Sequence, residues 1–318
     1  AWITRGAEVY AFRWDGTASG SPLTGAWQPL STVYGAGEFV PPCRAALFAY
    51  GRVFLAVETG ATGVCGSIAV SAPVEDPGVP RLTFTADRID CGLGAVGDIL
   101  GMASLGNGRI AVFKRDSVWI GTGCDGDPAG MVFECADPGH GCVGHAAFVT
   151  FDQGCWFVSD DGVRAVDTAG RALRVPKSQS IARFWHERVR FDAAPSPLAS
   201  AVVCGDRLLF SVGLDAPGLN ALLVYSLSSG CWVGVWTGAG MACSGLTVGD
   251  LCTGRQLKML GEDCTLQALS LHEAHAFSLS APGRFVSRAF TGDTLARRNL
   301  EWLVLVLAVA VFPAVIYL

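Results

Sequence analysis

Short apolar runs separated by polar turns follow one another along most of the chain. Five of these runs begin directly after glycines that lie 46 to 57 residues apart, namely Gly51, Gly108, Gly154, Gly205 and Gly254. A period of about 50 residues built from short strands is typical of β-propeller blades, each of which is a small antiparallel sheet. The pattern predicts an all-β fold: a β-propeller-like array of short antiparallel strands in a single domain over 1–318. The repeats are clearest over 51–260.

Polar turns between these runs predict three hairpins. The turns are the segments 114–117, 159–162 and 228–230, and the runs on either side of each are rich in β-branched and aromatic residues. Segment 159–162 ends in Asp-Gly, which is a strong hairpin signal because both residue types tolerate the positive φ angles of a tight turn.

One stretch has helical periodicity, and it predicts a short helical insertion over 178–191. Four residues fall on one stripe of such a helix, namely Ile181, Phe184, Trp185 and Arg188. We expect the side chain of Ser178 or Ser180 to cap its N-terminus by accepting a backbone N–H.

The C-terminal residues 297–318 admit two interpretations. Residues 302–318 carry no charge and are interrupted by Pro313. They can form two closing apolar strands, 303–312 and 314–317, broken at the proline. They can also form a membrane anchor, although a span needs about 20 apolar residues and at least about 17. The strand interpretation is favoured because the preceding chain supplies strands with which they can pair.

The composition is poor in charge. Charged residues make up 16% and hydrophobic residues 51% of the chain, whereas an average soluble domain is about 25% charged. A surface with so little charge favours burial in an assembly. The net charge of −5 argues against a protein that holds nucleic acid by neutralising phosphates, but not against one past which nucleic acid slides.

The twelve cysteines are dispersed, and we interpret them as buried free thiols instead of a disulfide framework. Cys155, Cys204 and Cys231 each lie within an apolar run, where a free cysteine packs as a small hydrophobe. Residues 1–10 have no apolar segment of the kind found in signal peptides. A reducing compartment is therefore expected.

The densest group of candidate metal ligands comprises Cys124, Cys135, His140, Cys142 and His145. Zinc needs four thiolate or imidazole ligands, commonly in closely spaced pairs. Only Cys142 and His145 have that spacing and there is no CxxC pair, so we predict no metal site.

Two other motifs that could mark a binding site give only weak signals. Residues 92–97 match GxGxxG and are followed by Asp116, but the glycine-rich segment after them disfavours the helix that a dinucleotide site requires. Asp125 and Asp127 could begin a calcium loop, but Ala136 occupies the position of its essential glutamate.

Acids and histidines give no stronger signal. Asp160 and Asp161 are the acids that a hydrolytic propeller could use, although aspartates in a hairpin turn are usually turn residues. His272 and His275 would point to opposite faces of a strand. The sequence thus predicts no catalytic, cofactor-binding or metal-binding residues, and no enzyme.

An ordered set of motifs resembles a known family. The segments in chain order are GDI at 97–99, GRIAVFKRDSVWIGTG at 108–123, GCV at 141–143, CWFVSDDG at 155–162, a helix-like 178–184, NALLVYSLSSGCW at 220–232, SRAF at 287–290 and RRNLEW at 297–302. Together they resemble the nozzle or tail-stabilisation proteins of short-tailed bacteriophages. The resemblance covers roughly residues 95–318.

The resemblance implies a structural virion protein. Such subunits bear a β-propeller and typically form a six-fold ring below the portal and adaptor, next to tail fibres or spikes, where packaged DNA is retained and later ejected. It implies assembly in the host cytoplasm and non-specific passage of DNA through the lumen. The alternative is a membrane-anchored, propeller-type binding module that uses 302–318 as its anchor. A propeller-type enzyme would need acids or a metal converging at its channel.

Overall fold

The computed structural model describes residues 2–5, 8–14, 25–29, 43–59, 64–73, 88–92, 97–191, 199–215, 218–237, 245–251, 254–260, 266–269 and 284–286. In these ranges 23 strands form antiparallel sheets, and a single α-helix accompanies them. The fold of the described chain is therefore all-β.

The first two sheets contain the strands up to residue 90. Strands β1 (Trp2–Arg5), β2 (Glu8–Trp14) and β3 (Gly25–Pro29) form the first, in the order β1-β2-β3. Strands β4 (Cys43–Ala49), β5 (Arg52–Thr59), β6 (Val64–Val70) and β7 (Ile89–Asp90) form the second, in the order β4-β5-β6-β7.

The next two sheets lie between residues 101 and 167. Strands β8 (Gly101–Gly106), β9 (Arg109–Phe113), β10 (Val118–Thr122) and β11 (Val132–Asp137) form the third, with β8 and β11 at its edges. Strands β12 (Phe148–Phe151), β13 (Gly154–Ser159) and β14 (Gly162–Asp167) form the fourth.

The remaining strands form two sheets. Strands β15 (Val189–Arg190), β16 (Ala199–Cys204), β17 (Arg207–Leu214), β18 (Ala221–Ser226) and β19 (Cys231–Thr237) share the fifth with β23 (Arg284–Val286). Strands β20 (Gly245–Leu251), β21 (Gly254–Leu260) and β22 (Leu266–Leu269) form the sixth.

The predicted repeat corresponds to one strand in each of the second to sixth sheets. Strands β5, β9, β13, β17 and β21 begin at, or within two residues of, the five glycines, and each is the second strand of a run of consecutive antiparallel strands. The turns before β5 and β9 need glycine for a physical reason. Residues 50–51 and 107–108 all have positive φ, which is the geometry of the tight turn that matches strand twist. The all-β, propeller-like prediction is confirmed.

The predicted hairpins are also confirmed. The turns 114–117, 159–162 and 228–230 lie between β9 and β10, β13 and β14, and β18 and β19. Although the turn 114–117 is polar in sequence, Lys114 is buried, with only 1% of its surface exposed.

A 3-10 turn (Gln179–Ile181) leads into helix α1 (Ala182–Arg188), inside the predicted insertion 178–191. Trp185 is its buried residue, and the remaining stripe residues are half-buried. The predicted cap is wrong: neither the turn nor α1 has a side-chain cap. The Ser178 hydroxyl accepts a hydrogen bond from the Val163 amide instead, at 3.0 Å.

The chain divides into two compact units. Unit 1 comprises 1–145, 150–159 and 165–174, and unit 2 comprises 146–149, 160–164 and 175–318. Unit 1 has an apolar core that includes Phe54, Ile68 and Ile110, and unit 2 has one that includes Leu209 and Leu222.

Within unit 1 one tyrosine ties two hairpins together. The Tyr50 hydroxyl donates to the Arg109 carbonyl at 2.7 Å and accepts from the Arg109 amide at 3.1 Å. The turn between β4 and β5 is thereby fixed to the turn between β8 and β9.

No helix in the described ranges is long and apolar enough to cross a membrane. Residues 297–318, for which closing strands or an anchor were predicted, lie outside the described residues, as do His272 and His275.

Candidate functional site

The five candidate metal ligands have separate partners. The thiols of Cys124 and Cys142 are buried, and desolvation raises their pKa values from 9.0 to about 11 and about 12. The Cys142 thiol donates to the Gly144 carbonyl at 3.3 Å. Metal binds the thiolate, so each of these thiols would have to release its proton to a bound metal.

The histidines of the same group are also engaged elsewhere. Nδ1 of His140 donates to the Asp137 carboxylate at 3.0 Å, and Nδ1 of His145 donates to the Leu100 carbonyl at 2.6 Å. Among the described residues no three His, Cys, Asp or Glu side chains gather in a way that could hold a metal ion.

The nucleotide and calcium motifs lack their required surroundings. Gly97 leads into strand β8, where a dinucleotide fingerprint needs a helix. Asp127 caps a 3-10 turn (Pro128–Gly130) by accepting from the Ala129 amide, and Ala136 lies within β11.

A bonded polar group within unit 2 surrounds the end of the β13–β14 turn. Arg164 forms a bidentate ion pair with Asp161: Nε donates to Oδ1 at 2.9 Å and Nη2 donates to Oδ2 at 2.6 Å. The Arg164 side chain is 6% exposed, so the carboxylate neutralises a buried guanidinium. The bidentate geometry is that of a strong, directional ion pair.

The segment around α1 is fastened to this turn. Nε1 of Trp185 donates to the Asp160 carbonyl at 3.2 Å, and the Lys177 amide donates to the Val163 carbonyl at 2.7 Å. Nε1 of Trp232 in β19 donates to the Lys177 carbonyl at 3.0 Å. The two tryptophans and Ser178 therefore tether the helical insertion to the sheets of unit 2.

Position 162 must be glycine for this tether to form. Its φ is +151°, and a Cβ added there would overlap Oγ of Ser178. Asp160, Asp161 and Gly162 thus serve the geometry of a turn that holds a helix, which is the role that we favoured for the two acids.

The buried-thiol interpretation is confirmed for Cys155 and Cys204 and wrong for Cys231, which is exposed. Cys231 is the first residue of β19, directly after the turn, and the next residue, Trp232, takes the buried face. Cys135 in β11 is likewise exposed.

Sequence reasoning missed the partners that cross between elements. The sequence around Lys177 does not predict that Trp232 donates a hydrogen bond to its carbonyl, because 55 residues separate the two. The only local signal was the tryptophan two residues after Gly230.

Comparisons with known proteins do not assign this chain to a family. No protein-family model matches this chain, and no curated protein matches it. Among solved structures, the chain is similar to BBS1N in a crystal structure with ARL6DN, with 14% identity and a TM-score of 0.46 over 84% of this chain and 72% of that one. It is also similar to apo AztD from Citrobacter koseri, with 12% identity and a TM-score of 0.39 over 74% of this chain and 57% of that one. With both TM-scores below 0.5, neither protein is a guide to the function of this one.

Proposed function

We propose that the chain is a structural subunit of a bacteriophage tail, in the nozzle or tail-tip ring below the portal and adaptor. The observation that carries the proposal is the order of the motifs between residues 97 and 232. They resemble, in the same sequence, those of the nozzle proteins of short-tailed phages.

The elements on which the motifs lie support the proposal. The motif at 108–123 covers the hairpin β9–β10, and the motif at 155–162 covers β13 and its turn. Residues 178–184 lead into α1, and 220–232 span β18 and the start of β19. An ordered series of matching elements is a stronger indication than any one hairpin, since single hairpins recur in unrelated folds.

The charge balance agrees with a conduit for DNA. A net charge of −5 gives no excess of Lys and Arg for retaining phosphates, and a wall that repels DNA weakly lets it slide. The low content of charged residues agrees with a subunit whose surface is largely covered by neighbours.

In this function the chain is not an enzyme. Its partners are copies of itself in a ring, expected to be a hexamer, together with the adaptor and a tail fibre or spike. The protein is located in the virion, after assembly in the host cytoplasm. DNA contacts the lumen without sequence preference.

The test is the mass and shape of the full-length chain, purified without detergent. Mass photometry over a range of concentrations, followed by negative-stain imaging, should show a ring with a central hole, expected to be six-fold. A monomer at every concentration would contradict the proposal. Material that stays in solution only with detergent would favour the anchored binding module.

A further inference from the structure

The charges of the chain are sharply segregated in its middle third. Between residues 116 and 163 there are eight acidic residues and no Lys or Arg, whereas between 164 and 190 there are seven basic residues and two acidic ones. The acidic excess and the basic excess therefore fall in neighbouring stretches of the sequence, joined by the Arg164–Asp161 ion pair.

The acidic block includes an exposed sheet edge, which we call the acidic edge, residues 132–137. This is strand β11, the outer strand of the third sheet, and among the described residues it pairs with β10 alone. Val132 is 52% exposed, and Glu134 and Cys135 are exposed as well. An edge strand presents unpaired backbone groups to another chain, and the exposed carboxylate of Glu134 favours a partner of opposite charge. The other acid of the strand, Asp137, already pairs with His140 at 3.0 Å.

The basic block includes an exposed segment, which we call the basic segment, residues 171–177. Its sequence is RALRVPK, with Arg171 and Arg174 exposed and Val175 62% exposed. Arg171 pairs with Asp167 at 3.2 Å. Arg174 and Val175 are the adjacent basic and apolar residues that the segment exposes.

We propose that the acidic edge of one copy docks on the basic segment of a second copy. The two surfaces carry opposite charges. Each also has an exposed valine, Val132 on the acidic edge and Val175 on the basic segment. Two acidic edges repel each other, which disfavours a symmetric pair. The contact we propose repeats head-to-tail, with each copy using its acidic edge on one neighbour and its basic segment on the other, and such contacts close into rings when the rotation permits. The inference rests on the proposed function and names the contact that builds its ring.

The test exploits the geometry of a head-to-tail contact by reversing one charge on each surface. Glu134→Arg places arginine opposite Arg174 of the next copy, and Arg174→Glu places glutamate opposite Glu134. Each variant alone should lose ring formation, with self-association weakened by at least about tenfold. An equimolar mixture should recover the ring, because copies that alternate restore an opposite pair at every contact. The double variant should recover it as well.

Two controls separate docking from folding and from net charge. Asp152→Arg and Arg183→Glu reverse exposed charges outside the two surfaces and should leave the ring intact. Urea unfolding of each variant reports whether its fold is retained, and recovery in the mixture shows that both single variants are folded.

The outcomes distinguish this inference from the proposed function. Rings from the parent chain and from both single variants would overturn the contact and leave the proposed function standing. A parent chain that never associates would overturn both. Rings that persist in Glu134→Arg while binding to an adjacent tail protein is lost would assign the acidic edge to that protein, and the inference would be wrong.

Discussion

At residue 154 the backbone leaves no space for a side chain. Gly154 has φ +129°, and a Cβ added there would overlap the backbone carbonyl of Val166. A carbonyl within a sheet cannot swing away as a flexible side chain can, so the strand would have to shift. We expect Gly154→Ala to lower the free energy of unfolding by more than about 2 kcal/mol, measured by urea denaturation.

The matched control is Gly130→Ala. Gly130 lies in the 3-10 turn with nothing within 4 Å of an added Cβ, and its φ is not positive. Its replacement should change stability by less than about 0.5 kcal/mol. Equal costs for the two variants would show that the space around Gly154 is not what requires glycine there.

Residue-level predictions from the sequence succeeded where the cause is local. The glycines before the strands were visible because tight turns require them. The burial of Lys114 and the exposure of Cys231 were not visible, because each depends on which face of a strand meets the core. A shift of one residue reverses that face, and single-sequence patterns determine it poorly at the ends of strands.

At the level of elements, Ser178 holds the helical insertion through a bond that is not a cap. Its buried hydroxyl accepts from the Val163 amide. Ser178→Ala would leave that buried amide without its acceptor, which costs about 1–3 kcal/mol. Ser180→Ala is the matched control, since Ser180 is exposed and neither the turn nor α1 has a side-chain cap. Urea denaturation of the two variants measures the difference.

The comparison also decides between the two roles considered for these serines. If a serine capped α1, the loss of that cap would cost about 1 kcal/mol and would appear as fraying of the helix in hydrogen exchange. Similar losses for the two variants would contradict the assignment of Ser178 to Val163. A loss in Ser178→Ala alone, with protection lost at the Val163 amide, supports it.

The elements themselves were largely predictable, and their attachments were not. Alternating apolar positions and turn residues located the three hairpins and the helix, since strand and helix periods are properties of a few neighbouring residues. The bonds from Trp232 to Lys177 and from Trp185 to Asp160 join residues 55 and 25 positions apart. Such pairs are set by packing, and the candidate site is made mostly of them.

At the scale of the whole molecule, the sequence period predicted the array of sheets but not the division into two units. The period reports that sheets recur, whereas the units depend on which sheets pack together. The same limit applies to the acidic edge. Sequence shows the acids, but only the sheet order shows that β11 is an outer strand.

The buried thiols make the stability of the molecule depend on pH. Burial raises the pKa of Cys142 from 9.0 to about 12, and burial also raises that of Cys91 to about 12 despite the opposing charge of Lys114. Below pH 9 these thiols are neutral in both the folded and the unfolded chain, so they add no pH dependence. Above pH 9 the unfolded chain releases their protons and the folded chain retains them. Stability therefore falls as pH rises from about 9 towards 12.

The slope of that fall is the measurable quantity. Each such thiol contributes up to about 1.4 kcal/mol of lost stability per pH unit, on top of the titration of other groups that every variant shares. Urea unfolding between pH 8 and 10.5 should show a shallower slope for Cys142→Ala than for the parent chain, whatever the variant's stability at pH 8. Cys231→Ala removes an exposed thiol and should retain the parent slope. Because the contrast lies in the slope, a general loss of packing at position 142 cannot imitate it, and equal slopes for the two variants would mean that Cys142 is not held neutral in the folded chain.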